Sequence, residues 1–342
     1  MGFAGISGST ARRSSVDDAL TGDSQSPAPT HDMAIPVLID TDIGTDVDDA
    51  IALALAVASP EIDLRAVTVV SGDVGLRARV AKKLLGLAGR ETVPVGAGIR
   101  HPVLRRRNFL WLGHEGQGIV ATDDTLPLSP AHGVDLLIDT VLHERPHVVA
   151  IGPLSNLAVA IMKVPEVIGA IAHLTLMGGV FGSNPDPNLP PVEYNLTSDA
   201  EAATVVLNAG IPTTVVPLDV TWRTFFTKAD LDRLRAAGSR LVHTVCDAME
   251  IWWPVHRQFF AATRTYRADI VSFLHDPLAL TAVFDRSCLR FERRRLRATL
   301  MDEQLRFVDD PDAPPLEIAV DVDAPRFVAF LMERLVGFAN SV

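Results

Sequence analysis

From residue 35 onward the chain alternates short, apolar, β-branched runs with longer stretches of helical period, and no other feature restricts its fold so strongly. "IPVLID" (35–40), "DDAIALALAVA" (48–58), "LRAVTVVSGD" (64–73), "LRARVAKKLLGLAG" (76–89) and "VPVGAG" (93–98) read as strand, helix, strand, helix, strand. The alternation resumes with "HGVDLLIDTVLHE", "HVVAIGP", "SNLAVAIMKVP", "HLTLMGG", "DAEAATVVLNAG" and "TTVVPLD". Strands that are apolar on both sides and separated by helices belong to a parallel sheet covered on both faces. Beyond Thr221 the pattern is mostly helical, through "TKADLDRLRAAG" and "RLVHTVCDAMEIWW", with a short strand "LEIAVDVD" before a last helix "PRFVAFLMERLVGF". The expectation is a single α/β domain with a mostly parallel central sheet, helices on both faces and a Rossmann-like core, spanning residues 33–342.

Residues 1–32 lack any apolar period and are rich in Ser, Thr, Gly and Ala, so they read as a disordered tail, with Met33 a second candidate start. The remainder is long enough to bury a sizeable core without staples, since 48% of the chain is hydrophobic. Acidic residues outnumber basic ones, 42 to 31, giving a formal charge of −11 that repels nucleic acid and anionic membrane surfaces. The two cysteines, Cys246 and Cys288, have no zinc-ligand spacing and read as buried thiols, and no apolar run is long enough to span a bilayer. A cytoplasmic location is expected.

Against that background one turn stands out. "IDTDIGTDVDDA" (39–50) holds five aspartates directly behind the first strand, where an α/β sheet binds its ligands. Helix capping and the helix dipole explain one or two of them. Several carboxylates crowded together raise one another's pKa unless a cation neutralises them, so a hard divalent ion is the economical resolution. An EF-hand requires a bidentate Glu twelfth in the loop, where this chain has Ile51. A haloacid-dehalogenase-like phosphatase would use Asp40 as nucleophile and Asp42 as general acid and base, but leaves Asp48 and Asp49 idle and lacks a convincing downstream Lys with an acidic pair.

"DTDIGTDVDDAIAL" (40–53), "GPLSNLA" (152–158), "LMGG" (176–179), "VEYNLTSDAEAA" (192–203) and "HDPLAL" (275–280), in that order, resemble the motifs of the inosine-uridine-preferring nucleoside hydrolases. The resemblance runs from about Ile35 to Leu280. It implies hydrolysis of the N-glycosidic bond of ribonucleosides, with calcium (Ca2+) as cofactor, a place in nucleoside salvage, and no nucleic-acid or membrane partner; a homo-oligomer, dimer or tetramer, is also expected. Carried across residue by residue, Asp42 becomes metal ligand and general base, Asp49 a bidentate metal ligand, Asp48 a contact to the ribose hydroxyls and Asp276 the last carboxylate ligand. Ser155 stands where the family usually has Thr, whose main-chain oxygen binds calcium. Glu193 and Asn195, read as two apart on an extended segment, and Asn188 fall to the sugar hydroxyls, with Asn184 competing for the last role. The family turn is two residues shorter, so Asp46 is a rival ligand.

Bland readings compete with several of these. Asp276 before Pro277 is also a plain helix start. His275 is a candidate acid for the leaving base, with His114 on a rim loop as the second, because histidine titrates near neutrality. Asp73 replaces the Asn common after its Gly, a departure from the family pattern at that contact. Trp111, Phe225, Phe226, Trp252, Trp253 and Phe259 are all able to stack on a base, although core packing is the commoner fate of aromatic residues. A non-catalytic nucleoside- or sugar-binding protein is the alternative outside enzymes; retention of Asp42, Asp49, Glu193, Asn195 and Asp276 argues against it.

Overall fold

Alternation becomes a sheet because a strand sends successive side chains to opposite faces, and here both faces are dry. In the computed structural model, which describes residues 34–121, 126–182, 184–260 and 267–339, Val37 and Ile39 enter one core while Leu38 enters the other. The tail expected over residues 1–32 lies outside the described residues. The strands are β1 (Ile35–Thr41), β2 (Ile62–Val69), β3 (Val95–Ala97), β4 (His147–Ala150), β5 (His173–Met177), β6 (Thr213–Val216), β7 (Phe225–Thr227), β8 (Ile270–Phe273), β9 (Leu289–Met301), β10 (Gln304–Asp309) and β11 (Pro315–Val322). All but β7 and β8 form one sheet in the order β10-β9-β11-β6-β5-β4-β1-β2-β3. It is parallel from β3 to β11; β9 and β10 run antiparallel at one edge.

The helices are α1 (Asp48–Ala58), α2 (Val74–Leu87), α3 (Gly133–Glu144), α4 (Ser155–Lys163), α5 (Val167–Ala170), α6 (Tyr194–Ser198), α7 (Ala200–Leu207), α8 (Leu218–Thr221), α9 (Lys228–Ala237), α10 (Arg240–Phe260), α11 (His275–Thr281) and α12 (Ala324–Ala339). α1, α2, α10, α11 and α12 pack on one face and α3, α4 and α7 on the other. α1 is buried nearly all round, as its Ala, Leu, Ile and Val sequence dictates. No helix among the described residues is long and apolar enough to cross a membrane.

One expectation needed correction. The region after Thr221 is not mostly helical: β9 and β10 form a hairpin, hidden in "LRFERRRLRATLM" because only Leu296 and Ala298 of that strand are well buried. β7 pairs antiparallel with β8 outside the main sheet and brings the start of α11 to its place.

Candidate active site

β1 lies in mid-sheet, with β2 and β3 to one side and β4 to the other, so the chain changes direction around its carboxyl end. Such a switch point leaves a crevice between the diverging loops. A cavity of 330 Å³ opens there, lined on its acidic side by Asp42, Asp46, Asp48, Asp49 and Asp276 and elsewhere by Ile151, Met177, Leu110, Val192, Glu193, Tyr194, Asn195, Trp222, Trp252, Phe259 and His275, among others.

Local chemistry builds the acidic side. Asp42 follows the last residue of β1, and Gly44, at φ +119°, turns the chain where an L side chain would be strained. The N-cap of α1 is Val47, with no side-chain cap, so neither Asp48 nor Asp49 serves as one. The helix dipole favours acids in that first turn by about 0.3–1 kcal/mol, far less than burying them together costs. Asp276, in the first turn of α11, donates its main-chain N–H to Asp48 Oδ2 at 3.3 Å across 228 residues of sequence. Thr41 Oγ1 donates to Asp49. The β4–α4 turn presses so close that a Cβ on Gly152 would lie 2.8 Å from the Asp42 nitrogen.

One carboxylate oxygen from each of Asp48, Asp49 and Asp276 lies within 4.8 Å of the others. Oxygen ligands at about 2.3–2.6 Å from one calcium ion are at most about 5 Å apart, so this donor set fits a hard divalent cation. Electrostatics agree: burial raises the carboxyls of Asp48, Asp49 and Asp276 well above the usual range, and their mutual repulsion adds to it. Burial also raises Asp42, against the pull of the Arg77 guanidinium. Asp46 is lifted to about 7, mainly by burial, while its Oδ1 accepts the Val47 N–H at 2.6 Å. A cation would relieve all five carboxyls.

The structure brings Asp48 into the cation cluster, where the sequence placed it on the sugar. Glu193 and Asn195 both line the cavity, but not as neighbours on an extended segment. Glu193 is the N-cap of α6 and Asn195 lies in its first turn. Glu193 accepts N–H groups from Gly179 and Leu196 on Oε2, at 2.9 Å each, and from Asn195 on Oε1. Burial nevertheless lifts its carboxyl to about 7. Asn195 Nδ2 donates to the carbonyls of Ile151 (3.1 Å) and Met177 (3.3 Å). Asn188 holds Asp186 and Asn184 holds the Asp219 carbonyl; neither is among the lining residues.

Ser155 is fully buried at the start of α4, its hydroxyl bonded to Asp199 at 2.5 Å, and does not line the cavity; the residue of that turn which does is Ile151. His275 does, with Nδ1 2.7 Å from Thr221 Oγ1 and its ring stacked on Phe273. Burial pushes it down to about 3, so the ring is neutral at pH 7. His114 sits in an adjoining recess, Nε2 2.7 Å from the Thr45 carbonyl and its ring stacked on Trp252. Asp73 caps α2. Of the aromatic candidates, Trp252 and Phe259 line the cavity; Phe226 is core, and Phe225 and Trp253 do not reach it.

Four contributors escaped the sequence reading. Trp222 and Tyr194 line the cavity, Trp222 stacking on Phe273 with centroids 4.3 Å apart and Tyr194 accepting the Leu110 N–H at 2.8 Å. Ile151 lines the cavity, and its main-chain oxygen accepts Asn195 Nδ2. Arg77, buried behind the turn, had a legible signal: with Val74, Ala78 and Ala81 it falls at helical spacing on the buried stripe of α2.

A carboxylate-lined crevice at the switch point of a doubly covered α/β sheet, with three carboxylates placed to share a hard cation beside an apolar wall, defines the class of site. The sequence model of the inosine-uridine preferring nucleoside hydrolases matches residues 37–329, and the chain belongs to that family. Its members hydrolyse N-glycosyl compounds. The chain is 30% identical to a probable uridine nucleosidase of Arabidopsis thaliana over 87% of its own length and 97% of the relative's. It is likewise 30% identical to a pyrimidine-specific ribonucleoside hydrolase of Citrobacter koseri, over 90% and 100%. Among solved structures, a plant nucleoside hydrolase superposes with a TM-score of 0.75 at 30% identity, covering 88% of this chain and 99% of that one. A purine-preferring ribonucleoside hydrolase of Gardnerella vaginalis gives 0.78 at 26%, covering 90% and 100%.

Proposed function

We propose that the chain hydrolyses the N-glycosidic bond of ribonucleosides in a calcium-dependent reaction, releasing ribose and a free nucleobase. The convergence of Asp48, Asp49 and Asp276, from two segments far apart in sequence, on one point of the cavity carries this reading. Those three carboxylates and the main-chain oxygen of Ile151 would hold the ion. When bound, calcium supplies a fixed double positive charge toward which water and sugar hydroxyls turn their oxygens.

Asp42 is the proposed general base: beside the cluster and on the cavity wall, its carboxylate accepts the proton of the attacking water. Loss of the base leaves positive charge on the sugar ring, which an oxygen-lined wall stabilises. Glu193 has about four acceptor sites, of which three take main-chain N–H groups, so the remaining one on Oε1 accepts a sugar hydroxyl. With its Nδ2 engaged, Asn195 offers Oδ1 to another. Trp222, Trp252 and Phe259 supply apolar walls for a base, near the edge of His275. The crowded carboxylates disfavour a substrate phosphate, so nucleosides are preferred to nucleotides. Asp40, the nucleophile of the phosphatase reading, is fully buried and does not line the cavity.

The test is a panel of purine and pyrimidine ribonucleosides and p-nitrophenyl phosphate, with reducing sugar, free base and phosphate measured with and without calcium. Base and sugar should appear together, vanish after chelation and return with calcium. Phosphate release without base would refute the reading.

A further inference from the structure

Arg77, 1% exposed, is the largest fully buried side chain among the described residues. An unsatisfied guanidinium in such a place costs several kcal/mol, so its partners show what it is there to hold. Nε donates to the Ser71 carbonyl at 2.6 Å, Nη1 to the Ile43 carbonyl at 2.9 Å and to the Asp42 carbonyl, and Nη2 to Thr45 Oγ1 at 2.9 Å. Its open face meets the ring of Trp111 at 5.3 Å. All four hydrogen-bond acceptors lie in the β1–α1 and β2–α2 turns. Asp42 and Ile43 begin the longer-than-usual turn that carries Asp42 and Asp46 and leads into Asp48 and Asp49 at the start of α1.

We propose that Arg77 is a positioning residue for the reaction: its planar fork clamps the main chain at Asp42, Ile43 and Thr45 so that the carboxylates on both sides of the turn face one cation. The assignment rests on the calcium-dependent reading above. Geometry rather than charge is the active property, because a guanidinium beside a cation site repels the cation. Removing the charge alone would therefore tighten calcium binding, whereas removing the clamp loosens it. The sign of the change separates the two. Lysine keeps the charge but has one ammonium in place of a rigid fork and cannot hold Ser71, Ile43 and Thr45 together.

The experiment is calorimetric titration of calcium chloride into chelator-treated wild type, Arg77→Lys, Arg77→Met and Lys82→Met, with the near-ultraviolet circular dichroism of each variant confirming a native fold. Lys82 is the control: it is a second buried cation of α2, bonded to the carbonyls of Glu91 (2.7 Å) and Val93 (2.9 Å) away from the cavity. Both Arg77 variants should bind calcium about 10–100-fold more weakly, the range seen when groups supporting metal ligands are removed. Lys82→Met should lose stability but keep its calcium affinity. If Arg77→Met does not fold, Arg77→Lys carries the test. Wild-type or tighter affinity in a folded Arg77 variant overturns the assignment, as does an equal loss in Lys82→Met. A wild type that binds no calcium overturns the calcium reading and this assignment with it; wild-type binding with an unaffected Arg77 variant overturns this one alone.

Discussion

Replacing Asp40 by asparagine should stabilise the metal-free protein increasingly as pH rises and leave hydrolysis standing. Asp40 is 0% exposed; its Oδ1 accepts from Thr68 Oγ1 at 2.5 Å and Asn156 Nδ2 at 2.7 Å, while Oδ2 has no hydrogen-bond partner among the described residues. Burial, only partly offset by those donors, raises its carboxyl from 3.8 to about 7. The unfolded chain loses this proton near pH 4 and the folded chain near pH 7. Stability that is present below pH 4 is therefore lost progressively as the pH climbs through about 7. A gap of about 3 units at roughly 1.4 kcal/mol per unit is on the order of 4 kcal/mol. Asparagine keeps Oδ1 for Thr68 and Asn156 and carries no charge. Its unpartnered amide replaces an equally unpartnered hydroxyl of the protonated acid, so the desolvation penalty is nearly common to both. The expected gain rises from near zero at pH 4 to about 2–4 kcal/mol at pH 8, read from urea unfolding in chelator-containing buffer. A difference that stays flat with pH, or a variant less stable than wild type at pH 8, refutes the burial argument. Because Asp40 does not line the cavity, kcat on a nucleoside should stay within about tenfold of wild type, in contrast to the loss expected of a nucleophile.

Asp49→Ala should purify without a stoichiometric divalent ion and without nucleosidase activity; elemental analysis that finds a full complement of metal in the variant contradicts the ligand assignment. Calcium should raise the melting temperature more at pH 8 than at pH 5.5, since the raised carboxyls of Asp48, Asp49 and Asp276 must release protons to bind it; an equal shift at both values counts against the cluster. Asp42→Asn, compared at equal metal content, should lower kcat by about 10²–10⁴-fold with a smaller change in KM, and near wild-type turnover would move the base elsewhere. Burial keeps the His275 ring neutral at pH 7 and leaves it no proton to donate there. His275→Ala should therefore change cleavage of inosine, uridine and a p-nitrophenyl riboside, whose leaving group needs no proton, by similar factors; a loss confined to the nucleosides would show that the ring is protonated when substrate binds. With the ring neutral down to about pH 3, the wild-type kcat profile should show no limb near 6.5 from this residue.

How much of this was legible depended on what each segment has to bury. From β1 to β6 the strands are dry on both faces and the helices between them amphipathic or wholly apolar, so period and composition agree and the parallel sheet can be read directly. At the sheet edge that agreement fails. β9 needs a buried side chain only at Leu296 and Ala298, and Arg290, Arg293, Arg294, Arg295 and Arg297 crowd its middle, so the alternation that marks a strand is masked by solvated arginines. Glu193 was misplaced for a related reason. Its β-region backbone is real, but as the N-cap of α6 it ends an extended stretch and does not continue one.

The site divides along a different line. Which residues carry chemistry was visible from motifs, because carboxylates in a turn and an Asp before a Pro stand out locally. Their convergence came only through the resemblance, which set Asp42, Asp49 and Asp276 on one cation; the residues themselves do not show that Asp48 and Asp276 meet where the β7–β8 pair brings α11 against α1. Nor do they show the support behind them. Asp46 adds a further carboxyl to this acidic stretch, offset locally only by the main-chain N–H groups of Val47 and Asp48. What α2 adds is a hold on the main chain, where Arg77 occupies a place on the apolar stripe that packing alone would give to leucine or methionine. In the proposed site the longer acidic turn and the arginine clamped to its main chain belong together: the guanidinium fixes the backbone by geometry, and the carboxylates' charge is left for a divalent cation to balance.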